Sequence, residues 1–145
     1  MNLKKLLIGA LVASAVMFLL GFLWHTVLMA DFYQSSSGEV GAVDRENPMV
    51  FYIGLGYLSL GLVMAYIYPK GAEGDNHIMD GIKFGVIMGF LWIVPHSSVL
   101  YGATIVTSKT AVFVDGLYHM VEGAIGGILI AMVYGKRNSA EESEE

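Results

Sequence analysis

Cysteine is absent, which excludes disulfides, thiolate metal sites, iron–sulfur clusters and a lipid anchor on cysteine. Any bound metal would have to use histidine, carboxylate, methionine or carbonyl ligands. Charge is also scarce. Charged residues make up 14% of the chain, against about 25% in soluble globular proteins. No basic patch with interleaved aromatics occurs, so nucleic acid is excluded as an expected partner. Only 3 prolines occur, and neither a heptad array nor a long repeat is visible. The formal charge of −5 reflects a local excess of acid in the tail Glu141-Glu142-Ser143-Glu144-Glu145 and in the first polar loop, so it does not describe an acidic binding face.

Apolar sequence and glycine fill the space. Hydrophobic residues reach 55%, the mean hydropathy is +0.61, and there are 18 glycines among 145 residues. Glycine is common in membrane helices because small residues let backbones approach closely. Four segments are long enough to cross a hydrocarbon core of about 30 Å, which takes about 20 helical residues. They run over residues 6–29, 49–68, 78–103 and 111–134. In lipid each segment must satisfy its own backbone polar groups, so each is expected to be a helix. Lys4-Lys5, the apolar run and Ala13-Ser14-Ala15 imitate a signal peptide. The apolar run continues through Leu28 without a polar break, which predicts an uncleaved first helix.

The expected fold is all-α, a bundle of four transmembrane helices. Residues 1–137 form one membrane domain, and residues 138–145 form a disordered acidic tail. Lys4, Lys5, Lys70, Lys83, Lys136 and Arg137 fall on one side, against Arg45 and Lys109 on the other. The positive-inside rule then puts both termini and the loop from Pro69 to His77 in the cytoplasm of a bacterial-type inner membrane. The loop from Asp31 to Pro48 faces outward. The short connection around Thr107-Ser108-Lys109-Thr110 makes the third and fourth helices antiparallel neighbours.

Lipid supplies no hydrophobic reason for helices to associate, so stripes of small residues mark the expected contacts. Gly81, Gly85 and Gly89 form a glycine zipper on the third helix, continued by Trp92 and His96. Gly123, Gly127 and Ala131 line the fourth. Ala10, Ser14, Met17, Gly21 and His25 line the first, and Gly54, Tyr57, Gly61 and Ala65 the second. Such stripes first serve helix packing, and they also suit a homo-oligomer or a membrane-protein partner within the bilayer.

Ionisable side chains inside a bilayer cost about 2.5–3.5 kcal/mol each on insertion scales, so they call for a reason. Asp115, His119 and Glu122 lie on one face of the fourth helix, four and seven residues apart. A rise of about 1.5 Å per residue puts His119 about 13 Å inside the start of that helix, and Glu122 about one turn deeper. His96 reaches a similar level on the third helix, and His25 lies near the outer end of the first. Glu122 must be protonated, paired or hydrated at such a depth. His119 is its nearest partner by sequence, and His96 is the expected partner from another helix. Pro95 frees a carbonyl and predicts a kink that opens room beside His96. The aromatic residues Trp24, Tyr33, Tyr52, Tyr66, Tyr68, Tyr101 and Tyr134 suit interfacial belts.

The sequence resembles small uncharacterised bacterial membrane proteins of the domain-of-unknown-function type. The resemblance lies in Gly85-Val86-Ile87-Met88-Gly89, the polar centre at His96, and Val114-Asp115-Gly116-Leu117-Tyr118-His119. Gly38 and the Phe51-Tyr52 pair are compatible with the early portion of such proteins. In one such group an Asp-Leu-Thr-Asn run stands where this chain has His96-Ser97-Ser98-Val99. The resemblance spans most of the chain. It implies four helices and adds no activity.

Three functions fit these residues. The leading expectation is small-ligand, ion or proton handling through an outer-leaflet polar site of Glu122, His119, His96, His25 and Asp115. The site would open outward between the first, third and fourth helices. The second is a structural or accessory subunit of a membrane complex. The third is a metal- or haem-binding protein, whose ligands would come from His96, His119, Glu122 and His25. No Glu-x-x-His or His-Glu-x-x-His spacing, nucleophile triad or phosphate loop occurs. No cofactor is firmly implied, and enzymatic activity is not expected.

Overall fold

The computed structural model describes residues 2–36, 45, 47–72 and 76–135. Among these residues there are five helices and no strand: α1 (Leu3–Phe22), α2 (Ala30–Ser35), α3 (Val50–Gly71), α4 (His77–Ala103) and α5 (Lys109–Tyr134). The first helix does not stop at Phe22. It continues as a π-helical stretch over Leu23–Leu28. With that extension, four helices are long and apolar enough to cross a membrane, which makes the chain a multi-pass membrane protein by length and composition.

The expected spans correspond to α1 with its extension, α3, α4 and α5, with small differences at the ends. α3 continues past Pro69 to Gly71, and α4 continues through Pro95 to Ala103. The expected outer loop begins as structure: α2 occupies residues 30–35, and residues 37–44 and 46 lie outside the described part. The expected acidic tail also lies outside the described residues.

Local chemistry explains the helix ends. The side chains of Asn2, Asn76 and Ser108 accept backbone N–H bonds at the starts of α1, α4 and α5. α5 ends at Gly135, whose φ of 72° is one that glycine adopts without strain. The Lys5 ammonium donates to the Tyr134 carbonyl at 2.8 Å, placing a cation at the negative end of α5. The Tyr134 hydroxyl donates to the Ala65 carbonyl at 2.8 Å, tying the same end of α5 to α3.

The helices pack in two ways. α4 lies along α5 so closely that its three buried residues, Gly81, Gly85 and Gly89, meet backbone. A Cβ at Gly81 would strike the Gly127 carbonyl oxygen, one at Gly85 that of Gly123, and one at Gly89 that of His119. The reverse order of partners along the two helices shows that α4 and α5 are antiparallel. α1, α3 and α5 enclose the remaining core, where Ala10, Ala13, Met17, Met64, Ala65, Ile130 and Ala131 are fully buried. α4 packs chiefly on α5 and reaches the edge of this core through the partly buried Phe84 and Met88.

Candidate functional site

The site is built at the end of the bundle that carries α2. Asp115, His119 and Glu122 line one face of α5 as their spacing requires, and they sink progressively into the protein. Side-chain exposure falls from 17% at Asp115 to 6% at His119 and 2% at Glu122. Glu122 Oε2 lies 2.8 Å from His119 Nδ1. Glu122 Oε1 accepts the Tyr118 hydroxyl at 2.7 Å and the Tyr57 hydroxyl at 3.3 Å. As a carboxylate, Glu122 has only acceptors to offer, so the histidine nitrogen facing it is assigned as Nδ1–H. The other nitrogen, Nε2, faces Asp115 Oδ1 at 3.6 Å.

α1 contributes through its π-helical stretch. The Met29 N–H donates to the Trp24 carbonyl at 2.8 Å, five residues back, and the Thr26 hydroxyl donates to the Phe22 carbonyl at 2.6 Å. Widened turns of this kind occur frequently at functional sites because they redirect side chains. Here two consecutive residues both meet partners on α5. Trp24 stacks on the Tyr118 ring, with centroids 4.6 Å apart and planes 8° from parallel. His25 Nε2 lies 3.7 Å from Asp115 Oδ1. The His25 ring also packs 5.8 Å from the His119 ring and edge-on to Tyr118 at 5.5 Å.

α2 covers the cluster. Tyr33 donates its hydroxyl to Asp115 Oδ1 at 3.0 Å and accepts the Trp24 indole N–H at 3.0 Å. Burial raises the Tyr33 phenol above its ordinary pKa of 10.0, the Trp24 bond opposes that shift, and the adjacent Asp115 charge adds to it. Tyr33 therefore remains a donor to Asp115 across the physiological range.

These contacts join four of the five expected site residues into one chain, His25–Asp115–His119–Glu122, and leave out His96. His96 is exposed on α4 and takes no part in the network. Ideal helix geometry does put His96 close to the direction of Gly89. At this level, however, it is Val94 that meets α5, against Gly116, and both Trp92 (38% exposed) and His96 lie at the surface. The cross-helix partner of Glu122 is Tyr57 of α3 rather than His96. The site consequently lies between α1, α2, α3 and α5, and α4 supplies none of its side chains.

Gly21 makes the junction with α3 possible. A Cβ there would collide with the Tyr57 hydroxyl and stand 3.3 Å from Glu122 Oε1. Three residues that composition assigns to interfacial or packing roles, Trp24, Tyr33 and Tyr57, are part of the polar network, and so is Tyr118. Two signals point to them in the sequence. Tyr118 is one helical turn from Glu122, and Tyr57 lies on the small-residue stripe of the second span.

One ligand atom each from His25, Asp115 and His119 can be chosen so that all three lie within 4.8 Å of one another. Two imidazoles and one carboxylate form a donor set suited to a first-row transition metal. The apolar groove lined by Phe90, Val94, Val112, Phe113, Leu117 and Met120, between α4 and α5, contains none of these groups.

The fold and site define a helical multi-pass membrane protein with a buried polar cluster at one end of the bundle. The chain belongs to the family described as "Protein of unknown function (DUF1761)", whose pattern matches residues 8–131. No curated protein and no solved structure matches it.

Proposed function

We propose that this protein binds a cation, either a metal ion or a proton, at a one-ended polar site in the outer leaflet of a bacterial-type inner membrane, with both termini in the cytoplasm. The observation that carries this reading is the graded chain of side chains. It runs from His25, 35% exposed, through Asp115 and His119 to Glu122, 2% exposed. Groups of this kind inside a membrane serve ion sites and proton relays. Beyond Glu122 and Tyr57 the buried side chains are mostly apolar, with Met17, Met64 and Ile130 at 0% exposure and the Ser14 hydroxyl a buried polar group among them. Among the described residues no carboxylate or imidazole other than His119 and Glu122 is buried, which favours access of a cation from one side. The excess of Lys and Arg in the terminal segments and the loop from Pro69 to His77 supports the orientation.

Trp24 supplies the test, because it stacks on Tyr118 and donates to Tyr33. In a Trp92→Phe background, emission from purified protein is followed on acidification and on addition of sodium, magnesium or zinc chloride. At least one titration should give a saturable change that disappears in His119→Ala. Emission that never responds, or that responds identically in His119→Ala, overturns the reading. The natural absence of cysteine makes orientation directly testable. A membrane-impermeant thiol reagent should label Thr107→Cys, but not Ala72→Cys, on intact spheroplasts.

A further inference from the structure

We infer that the cation is a divalent first-row transition metal, held by His25, Asp115 and His119 as ligands, with Glu122 as the positioning residue behind His119. This rests on the cation-site reading above and narrows it.

The first argument is geometric. Metal–ligand bonds of about 2.0–2.2 Å set about 3.3–3.6 Å between ligand atoms in a tetrahedral site. Asp115 Oδ1 lies 3.6 Å from His119 Nε2 and 3.7 Å from His25 Nε2. Two edges of the coordination polyhedron are therefore present to within a few tenths of an ångström. The three ligand atoms all lie within 4.8 Å of one another, and His25, 35% exposed on the π-helical stretch, is the one nearest the surface.

The second argument lies behind the ligands. A metal-bound histidine usually donates its remote N–H to a carboxylate, which sets the tautomer and raises the basicity of the ligating nitrogen. Glu122 Oε2, 2.8 Å from His119 Nδ1, occupies that position. Two phenols hold Glu122 in turn, and Tyr33 holds Asp115. A network whose only purpose was to neutralise Glu122 would be complete with His119, Tyr118 and Tyr57. It would not require a second carboxylate and a second imidazole to converge on the opposite face of the same ring.

The third argument concerns the choice of ion. Magnesium and calcium favour all-oxygen sites, whereas two imidazoles with one carboxylate favour zinc or ferrous iron. Three protein ligands leave a coordination position for water.

The test uses the full-length protein in detergent, stripped with a chelator, then titrated with zinc by calorimetry and with cobalt as a visible-absorption probe. Wild type should bind one ion per chain, and cobalt should show the d–d bands of a four- or five-coordinate nitrogen and oxygen site. His25→Ala and Asp115→Asn should weaken zinc binding at least 100-fold, while His96→Ala should leave it unchanged. Glu122→Gln is the sharper probe. Its amide can donate to Nδ1, which puts the proton on Nε2 and removes the lone pair. It should lower affinity about 10–100-fold, the range typical of second-shell losses, with the helical fold retained by circular dichroism.

The inference is overturned if wild type binds no stoichiometric metal, or if binding survives His25→Ala combined with Asp115→Asn, or if His96→Ala weakens it equally. Should Glu122→Gln fail to fold, the partly exposed His25 still decides the matter through His25→Ala. An acid-dependent, His119-dependent Trp24 signal without metal binding would defeat this inference and leave the broader cation reading standing. Absence of both would defeat the two together.

Discussion

Along the α4–α5 seam backbone meets backbone, whereas at the α2 end of the bundle side chains from four helices meet one another. The seam is made of the smallest residues, with Gly85 and Gly123 facing each other so closely that neither accepts a Cβ. The polar site is made of large residues, two histidines, two carboxylates, three tyrosines and a tryptophan, joined by directed bonds. Both solve the problem of holding helices together where lipid offers no hydrophobic incentive. The seam does so through van der Waals contact and tolerates no added volume. The site does so through hydrogen bonds and tolerates no lost partner.

The contrast can be broken from the seam first. Gly85→Val should have the largest effect, because the added atoms meet the Gly123 carbonyl and cannot displace backbone. A loss of at least about 3 kcal/mol is expected, the upper end of overpacking costs, seen as a failure of the bundle to survive a thermal melt in detergent. Gly126→Ala should cost about 1 kcal/mol or less, since its new methyl meets the flexible Met17 sulfur. Equal losses from the two variants would mean that backbone contact is not what distinguishes the seam.

The site side ranks next. Glu122→Ala leaves Tyr57, Tyr118 and His119 without their buried acceptor, at an expected cost of about 3 kcal/mol. Glu122→Gln should restore most of that stability in the same melts. If Glu122→Ala were no less stable than Glu122→Gln, the network would not be holding the helices.

Tyr33→Phe removes the bonds to Asp115 and Trp24 and should cost about 1 kcal/mol. It also has a pH signature. A phenol whose pKa is raised on folding contributes stability that is present below its ordinary pKa of 10.0 and is lost as pH rises above it. Stability measured from pH 9 upward should therefore fall less steeply in Tyr33→Phe than in wild type. The smallest effect belongs to His96→Ala, exposed and outside both regions. Its melting transition should stay within about 0.5 kcal/mol of wild type.

The apolar segments already identify the four long helices, because length and hydropathy are properties of the chain alone. The common face of Asp115, His119 and Glu122 is equally legible, since helical periodicity fixes it. The role of His96 is not legible. Helical phase indicates which direction a residue faces along its own axis, but not whether another helix is present there to cover it. The π-helical stretch is likewise invisible in Leu23–Leu28, which reads as ordinary apolar helix. The aromatic members were hidden for a related reason. Tyrosine and tryptophan suit a membrane interface and a buried hydrogen-bond network equally well, and only their neighbours distinguish the two.

Sequence by itself therefore determined the number and extent of the long helices, the small-residue faces and the polar face of α5, all consequences of periodicity and solvent preference within one segment. Tertiary structure alone decided that Tyr33 reaches Asp115, that Tyr57 rather than His96 reaches Glu122, and that α4 stands outside the site. Those outcomes depend on distances between segments, set by which backbones can approach closely, and no single segment encodes them.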